Sequence, residues 1–109
     1  MEGYQIEIHG AFQRKPKVLN KEIEKLFSLL QECGKDLDIK LELSSSGGCC
    51  DGNNLAAAGL PNIDTLGVRG GNIHTDQEYV LLDSLAERAK LLALFLMKLE
   101  DGEIEWKAK

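Results

Sequence analysis

Two glycine-bearing loops constrain this chain more than any other feature. The first is Ser44-Ser45-Ser46-Gly47-Gly48-Cys49-Cys50-Asp51-Gly52-Asn53-Asn54. The second is Gly70-Gly71-Asn72-Ile73-His74-Thr75-Asp76-Gln77-Glu78-Tyr79-Val80. Glycine lets a backbone turn sharply or approach another group closely, so such loops need rigid elements to carry them. The sequence around them reads as a scaffold that brings both loops to one edge of a sheet.

Residues 4–9 alternate polar and apolar. They predict a half-buried strand with Tyr4, Ile6 and Ile8 on one face and Gln5, Glu7 and His9 on the other. Residues 10–16 form a connector, in which Pro16 pushes Lys15 toward extended geometry. Asn20 predicts the cap of a helix over 20–33. Its apolar stripe is Ile23, Phe27 and Leu30, widened by Leu26 and Leu29. Gly34 is expected to end that helix at the left-handed position after the cap. Cys33 is expected to pack as a small hydrophobe.

A second alternating strand is predicted over 39–43, running into the first loop. Asp51 or Asn53 then starts a short helix through Ala58, stopped by Gly59 and Pro61. Residues 62–67 predict a third strand and residues 79–82 a fourth. Ser84-Leu85-Ala86-Glu87 has the form of a capping box and predicts a helix over 84–99. Its expected stripe is Leu85, Ala89, Leu92, Leu96 and Leu99. Ala93, Leu94, Phe95 and Met97 fill much of the remaining surface, the pattern of a helix buried between neighbours. Trp106 is the one anchor of the tail over 101–109. The expected fold is α/β: a small mixed sheet from 39–43, 62–67 and 79–82, with the two long helices packed on it.

A chain of 109 residues is one small domain or a piece of a larger one. At 43% apolar and 28% charged it is too apolar for a disordered chain. A net charge of −5 argues against a nucleic-acid surface. The basic cluster Arg14-Lys15-Pro16-Lys17 is too short to reverse that. The longest apolar run, 91–97, falls far below the roughly 18 residues that cross a bilayer, so no membrane partner is expected. Met1-Glu2-Gly3-Tyr4 lacks the basic start and apolar core of a signal peptide. Three cysteines, two of them adjacent, are not a disulfide framework. They point to free thiols in a reducing, cytoplasmic setting.

The loops offer several chemistries. A strand, a glycine loop and a helix can bind an anion through free N–H groups; Gly47-Gly48 also reads as a plain turn. Cys49-Cys50 reads as a thiol nucleophile, as a soft metal site, or as two small residues filling a tight loop. His74 lies 24 residues beyond Cys50, between a glycine pair and the carboxylates of Asp76 and Glu78. It reads as a surface imidazole or as a metal ligand. Zinc requires three or four ligands, and no His-x-His or His-x-Asp pair is present. Arg14, stiffened by Pro16, has the planar fork that grips carboxylates.

Taken together these motifs resemble the C-terminal part of the zinc aminoacylase/carboxypeptidase family. That family includes acetylornithine deacetylase, succinyl-diaminopimelate desuccinylase, aminoacylase and glutamate carboxypeptidase. The resemblance extends over about 4–99. It rests on Arg14-x-Pro16, on Ser46-Gly47-Gly48-Cys49-Cys50-Asp51-Gly52-Asn53, on Gly59-Leu60-Pro61, and on Gly70-Gly71-Asn72-Ile73-His74-Thr75 followed by Glu78-Tyr79-Val80.

The resemblance implies a zinc-exopeptidase-like catalytic domain with two zinc ions and a glutamate base. It implies hydrolysis of amide bonds in N-acyl amino acids or short peptides by a homodimeric parent. His74 matches a metal ligand. Arg14 matches the arginine that holds the substrate carboxylate. Gly47, Gly48, Cys50, Asn53, Gly70 and Gly71 match the lining of the substrate pocket. Residues 1–13 match the last strand of a lid or dimerisation domain with its hinge, and 14–109 the C-terminal segment of the catalytic domain.

Two departures qualify the match. Cys49-Cys50 stands where the family carries a glycine and a hydroxyl. The family's N-terminal motifs, His-x-Asp, the bridging Asp and Glu-Glu, are missing from this sequence. No catalytic residue is therefore assigned in this chain. It is expected to be a fragment that is inactive alone and self-associates through the 4–9 strand. Two alternatives stay open: a stand-alone non-catalytic module that binds a small carboxylate or a partner chain, and thiol chemistry at Cys49-Cys50.

Overall fold

The computed structural model describes residues 2–102. The elements, in chain order, are α1 (Lys21–Asp36), α2 (Asp51–Ala57), β1 (Gly70–Gly71), β2 (Tyr79–Val80) and α3 (Asp83–Glu100). Met1 and the tail carrying Trp106 lie outside the described residues.

Helix α1 begins as the sequence predicts. The Asn20 Oδ1 accepts the Ile23 N–H at 2.9 Å, and Glu22 and Glu24 sit in the positively polarised first turn. Ile23, Leu26, Phe27, Leu29, Leu30 and Cys33 are buried along it. Its end differs from expectation. The helix runs past Gly34, which is buried inside the last turns. The returning chain then donates Ile39 N–H to the Gly34 carbonyl at 2.7 Å. A Cβ on Gly34 would stand 2.6 Å from the Ile39 carbonyl oxygen. The glycine therefore serves a close approach, and the left-handed residue is Asp38, with φ +56°.

Helix α3 packs on α1 through Leu91, Phe95 and Leu30. The predicted capping box does not form. Leu82 stands at the N-cap with helical backbone angles and makes no side-chain cap. Ser84 is fully buried. Its Oγ donates to the Leu81 carbonyl at 2.6 Å and accepts the Arg69 N–H at 2.9 Å. Glu87 accepts two bonds from the Arg69 guanidinium, each 3.1 Å. Both box residues thus tie α3 to Arg69, just ahead of β1.

The predicted stripe is displaced as well. Leu85, Leu92 and Leu96 face outward, each 43–55% exposed, while Leu91 and Phe95 face α1; of the predicted stripe, Leu99 packs against the core. A helix apolar on most sides does not encode which side meets its neighbour. Here the hydroxyl of Ser84 and the docking of Arg69 set its rotation.

The sheet is smaller than expected. β1 and β2 form an antiparallel hairpin in the register Gly70 to Val80 and Gly71 to Tyr79. Residues 39–43 and 62–67 form no strand. Their alternation still acts on packing, because Ile39, Leu41, Ile63 and Leu66 lie against the helical core. Residues 4–9 form no strand either, and Tyr4, Ile6 and Ile8 are 74–91% exposed rather than half-buried. Alternation specifies a face, but a ladder needs a neighbouring edge. Among the described residues no strand lies beside these segments. The result is a thin body of 65 × 43 × 16 Å with a radius of gyration of 18.6 Å. A compact chain of this length has a radius of about 13 Å.

Candidate functional site

The segment carrying Arg14 lines an open cleft of about 990 Å³. The glycine loop over 44–50 and the 62–66 segment form its other walls, with Phe27 and Leu30 of α1 supplying an apolar side. The cleft gathers Arg14, Gly47, Gly48, Cys50 and Asn53, which the sequence places 39 positions apart at the extremes (14 to 53).

Side-chain bonds between distant residues hold these walls together. Cys50 caps α2: its Sγ accepts the Gly52 N–H at 3.3 Å. Asn53 returns the cap by accepting the Cys50 N–H at 3.1 Å, and its amide donates to the Lys15 carbonyl at 3.1 Å. Lys17 Nζ reaches Asp64 Oδ2 at 2.6 Å and Asn62 Oδ1 at 3.1 Å. The Cys50 thiol also donates to Asp64 Oδ2 at 3.4 Å. The Lys17 ammonium, aided by hydrogen bonds from the Thr65 hydroxyl and the Cys50 thiol, holds the Asp64 carboxyl below its ordinary value.

Gly52 sits buried among these groups. A Cβ there would stand 2.6 Å from Asn62 Oδ1, 3.0 Å from Asp64 Oδ2 and 3.2 Å from Cys50 Sγ. Arg14 itself is loosely engaged. Its guanidinium lies 3.9 Å from Cys49 Sγ and 3.7 Å from Asp51 Oδ1. Both contacts are long, so the guanidinium is held only weakly by Cys49 and by the exposed Asp51 carboxylate.

Gly70, Gly71 and His74 do not line this cleft. They belong to the β1–β2 hairpin. A Cβ at Gly70 would collide with the Tyr79 carbonyl oxygen, and one at Gly71 would come 2.7–2.8 Å from the Tyr79 ring. Those glycines therefore let strand and ring close over each other. The hairpin loop is built from local bonds. Thr75 Oγ1 donates to the Asn72 carbonyl at 2.6 Å, and the Thr75 N–H donates to the same oxygen at 3.2 Å. Asn72 and His74 adopt left-handed backbone, at φ +55° and +66°. The turn lifts the His74 imidazole into solvent.

Among the described residues, no three His, Cys, Asp or Glu side chains converge closely enough to hold a metal. His74 by itself offers one ligand where zinc takes three or four. These residues alone do not fit a dinuclear centre. Of the thiols, Cys33 is fully buried, and burial pushes it above its ordinary value toward the inert neutral form. Cys49 and Cys50 are exposed at the cleft.

Several residues that build the site escaped the sequence reading. Lys17 reads there as one more cation in a short basic cluster, and Asn62 and Asp64 as polar positions of a strand. The available signal was the Asn62-x-Asp64 spacing, which puts both side chains on one face of an extended segment. Ser84 was hidden by its fit to a capping box.

Among the described residues no helix is long and apolar enough to cross a membrane. No curated protein and no solved structure matches the chain. The model of peptidase family M20/M25/M40 matches residues 3–98, so the chain belongs to that family, as the motifs around Arg14, Gly47-Gly48 and His74 imply.

Proposed function

We propose that this chain is the C-terminal part of a dinuclear zinc hydrolase that cleaves amide bonds of N-acyl amino acids or short peptides. In type it is a deacetylase, desuccinylase or carboxypeptidase, cytoplasmic, and homodimeric as the parent enzyme. Membership of a metallopeptidase family relates the chain to hydrolysis. The observation that carries the finer reading is the cleft, where Arg14, only weakly engaged by Cys49 and Asp51, lines the same wall as Gly47, Gly48 and Cys50.

In this reading Arg14 grips the substrate carboxylate through two parallel N–H bonds. The glycine loop leaves room for backbone to approach the substrate. His74 supplies one metal ligand. Residues 1–13 belong to the lid or dimerisation domain and 14–109 to the catalytic domain. The chemistry that bound zinc supplies is polarisation of the carbonyl and acidification of a water. This chain contributes binding and orientation, and a second segment contributes the general base and the remaining ligands.

The test has two arms. The gene should encode His-x-Asp and Glu-Glu motifs upstream of Met1. The isolated chain, supplied with zinc, should hydrolyse no N-acetyl amino acid above the buffer blank. Turnover by the isolated chain, or a gene without those motifs, overturns the reading. A second reading draws support from the same cleft, because this chain builds it from its own residues. In that reading the chain is a non-catalytic module that binds a small carboxylate. It expects carboxylate binding together with a gene that lacks the upstream motifs.

A further inference from the structure

Arg14 has no tight partner of its own, so something else must hold it at the cleft. The backbone around it is pinned twice. The Lys15 carbonyl is held by Asn53 at 3.1 Å, and the Lys17 ammonium is held by Asp64 and Asn62 at 2.6 and 3.1 Å. Pro16, with its fixed φ, joins the two pins. Lys17 is largely buried, with its side chain 19% exposed, so its four-carbon stem is not free to wander.

Asp64 is the common point. It receives Lys17 from the Arg14 segment, Cys50 from the glycine loop, and Thr65 from its own segment. Asn62 closes the circuit by donating to the Gly52 carbonyl at 3.1 Å. Gly52 lacks the Cβ that would push Asn62 and Asp64 away. The sequence separations are 47 for Lys17 to Asp64 and 38 for Asn53 to Lys15, so these are tertiary ties and not local turns.

From this circuit we infer that Lys17 and Asp64 are positioning residues, a buttress that presents the Arg14 guanidinium to the substrate carboxylate at a set place relative to the Gly47-Gly48 loop. The inference rests on the proposed role of Arg14. Its physical basis is preorganisation. A fork that must meet two carboxylate oxygens binds weakly if its own backbone has first to be ordered. The Cys50 thiol takes part through Asp64, so the loop and the arginine move as one body.

The experiment uses the full 109-residue chain. Nuclear magnetic relaxation reads the order of the Arg14 Nε–H bond, and titration with N-acetyl-L-alanine reads carboxylate binding at the Gly47 and Gly48 amides. Lys17→Met and Asp64→Asn should each lower the Arg14 order parameter and weaken binding by about fivefold or more. Lys17→Arg should keep both close to wild type. The charge exchange Lys17→Asp with Asp64→Lys should recover at least part of the loss. A pair with only a structural role would lower the melting temperature and leave Arg14 order unmoved.

Unchanged Arg14 order in both single variants overturns the inference, whatever the titration shows. If wild type fails to bind N-acetyl-L-alanine, the carboxylate role of Arg14 fails. Arg14 order still decides whether the buttress exists, so the two failures are distinguishable.

Discussion

The cleft around Arg14 and the hairpin around His74 are built on opposite plans. In the cleft, the side chains of Lys17, Cys50, Asn53, Asn62 and Asp64 bond across long stretches of chain, Asn53 to the backbone carbonyl of Lys15. In the hairpin, Asn72, Thr75 and Gln77 bond within five positions of one another. The hairpin joins the rest of the molecule at its base, where Arg69 meets Ser84 and Glu87. A site of the first kind keeps its geometry only while the tertiary fold holds. A site of the second kind can keep its turn while its docking is lost. The substrate-binding candidates and the metal-ligand candidate should therefore fail under different substitutions.

The largest effect is expected where the cleft is most crowded. Gly52→Val puts a branched side chain against Asn62, Asp64 and Cys50, whose polar atoms are already committed. Overpacking of that kind costs about 3 kcal/mol, more than the roughly 0.5 kcal/mol a helix gains when valine replaces glycine. Denaturant unfolding should show the loss, and the amides of 72–78 should keep their native chemical shifts. A variant as stable as wild type would mean that the Asp64 circuit is slack.

Ser84→Ala should come next and act on the other region. It removes the fully buried hydroxyl that accepts the Arg69 N–H and donates to the Leu81 carbonyl, at a cost of about 1 kcal/mol. Hydrogen exchange should then quicken at Arg69 and Leu81 while the Asn53 and Cys50 amides stay protected. Equal acceleration in the cleft would erase the contrast between the two plans.

The smallest effect is the acid response of Asp64. Its carboxyl is held below its ordinary value of 3.8, chiefly by the hydrogen bond from Lys17. A lowered carboxylate contributes stability above that ordinary value and loses it as pH falls through the lowered one. The pair is partly exposed, so solvent and salt screen it and the increment is small. Melting curves between pH 7 and pH 2 should fall further for wild type than for Asp64→Asn. Parallel curves would show that Asp64 does not sense its partners.

Some of this architecture is legible in the sequence. Asn20 declared the start of α1, because its side chain reaches the third amide of a helix whatever surrounds it. The spacing of Ile23, Phe27 and Leu30 marked a buried face. The start of α2 was narrowed to Asp51 or Asn53, and the structure begins it at Asp51 with Cys50 as the cap. Gly34 shows the opposite case. Its position suited a left-handed helix end, yet the returning chain used its missing Cβ for contact, a demand that arises 5 residues later at Ile39. Ser84 and Glu87 had the spacing of a capping box and met Arg69 instead.

The sequence alone determined the three helices and, through the order of its motifs, membership of the M20/M25/M40 family. These rest on periodicity, side-chain reach and backbone freedom over a few residues. Only the tertiary structure decided which alternating segments pair, which side of α3 is covered, and that Lys17, Cys50 and Asp64 converge in the cleft that Arg14 lines. Those outcomes depend on edges and partners contributed from distant parts of the chain. Residues 39–43 and 62–67 carry the strand pattern and pack by it, but a ladder needs a second edge, and no pattern within one segment supplies that.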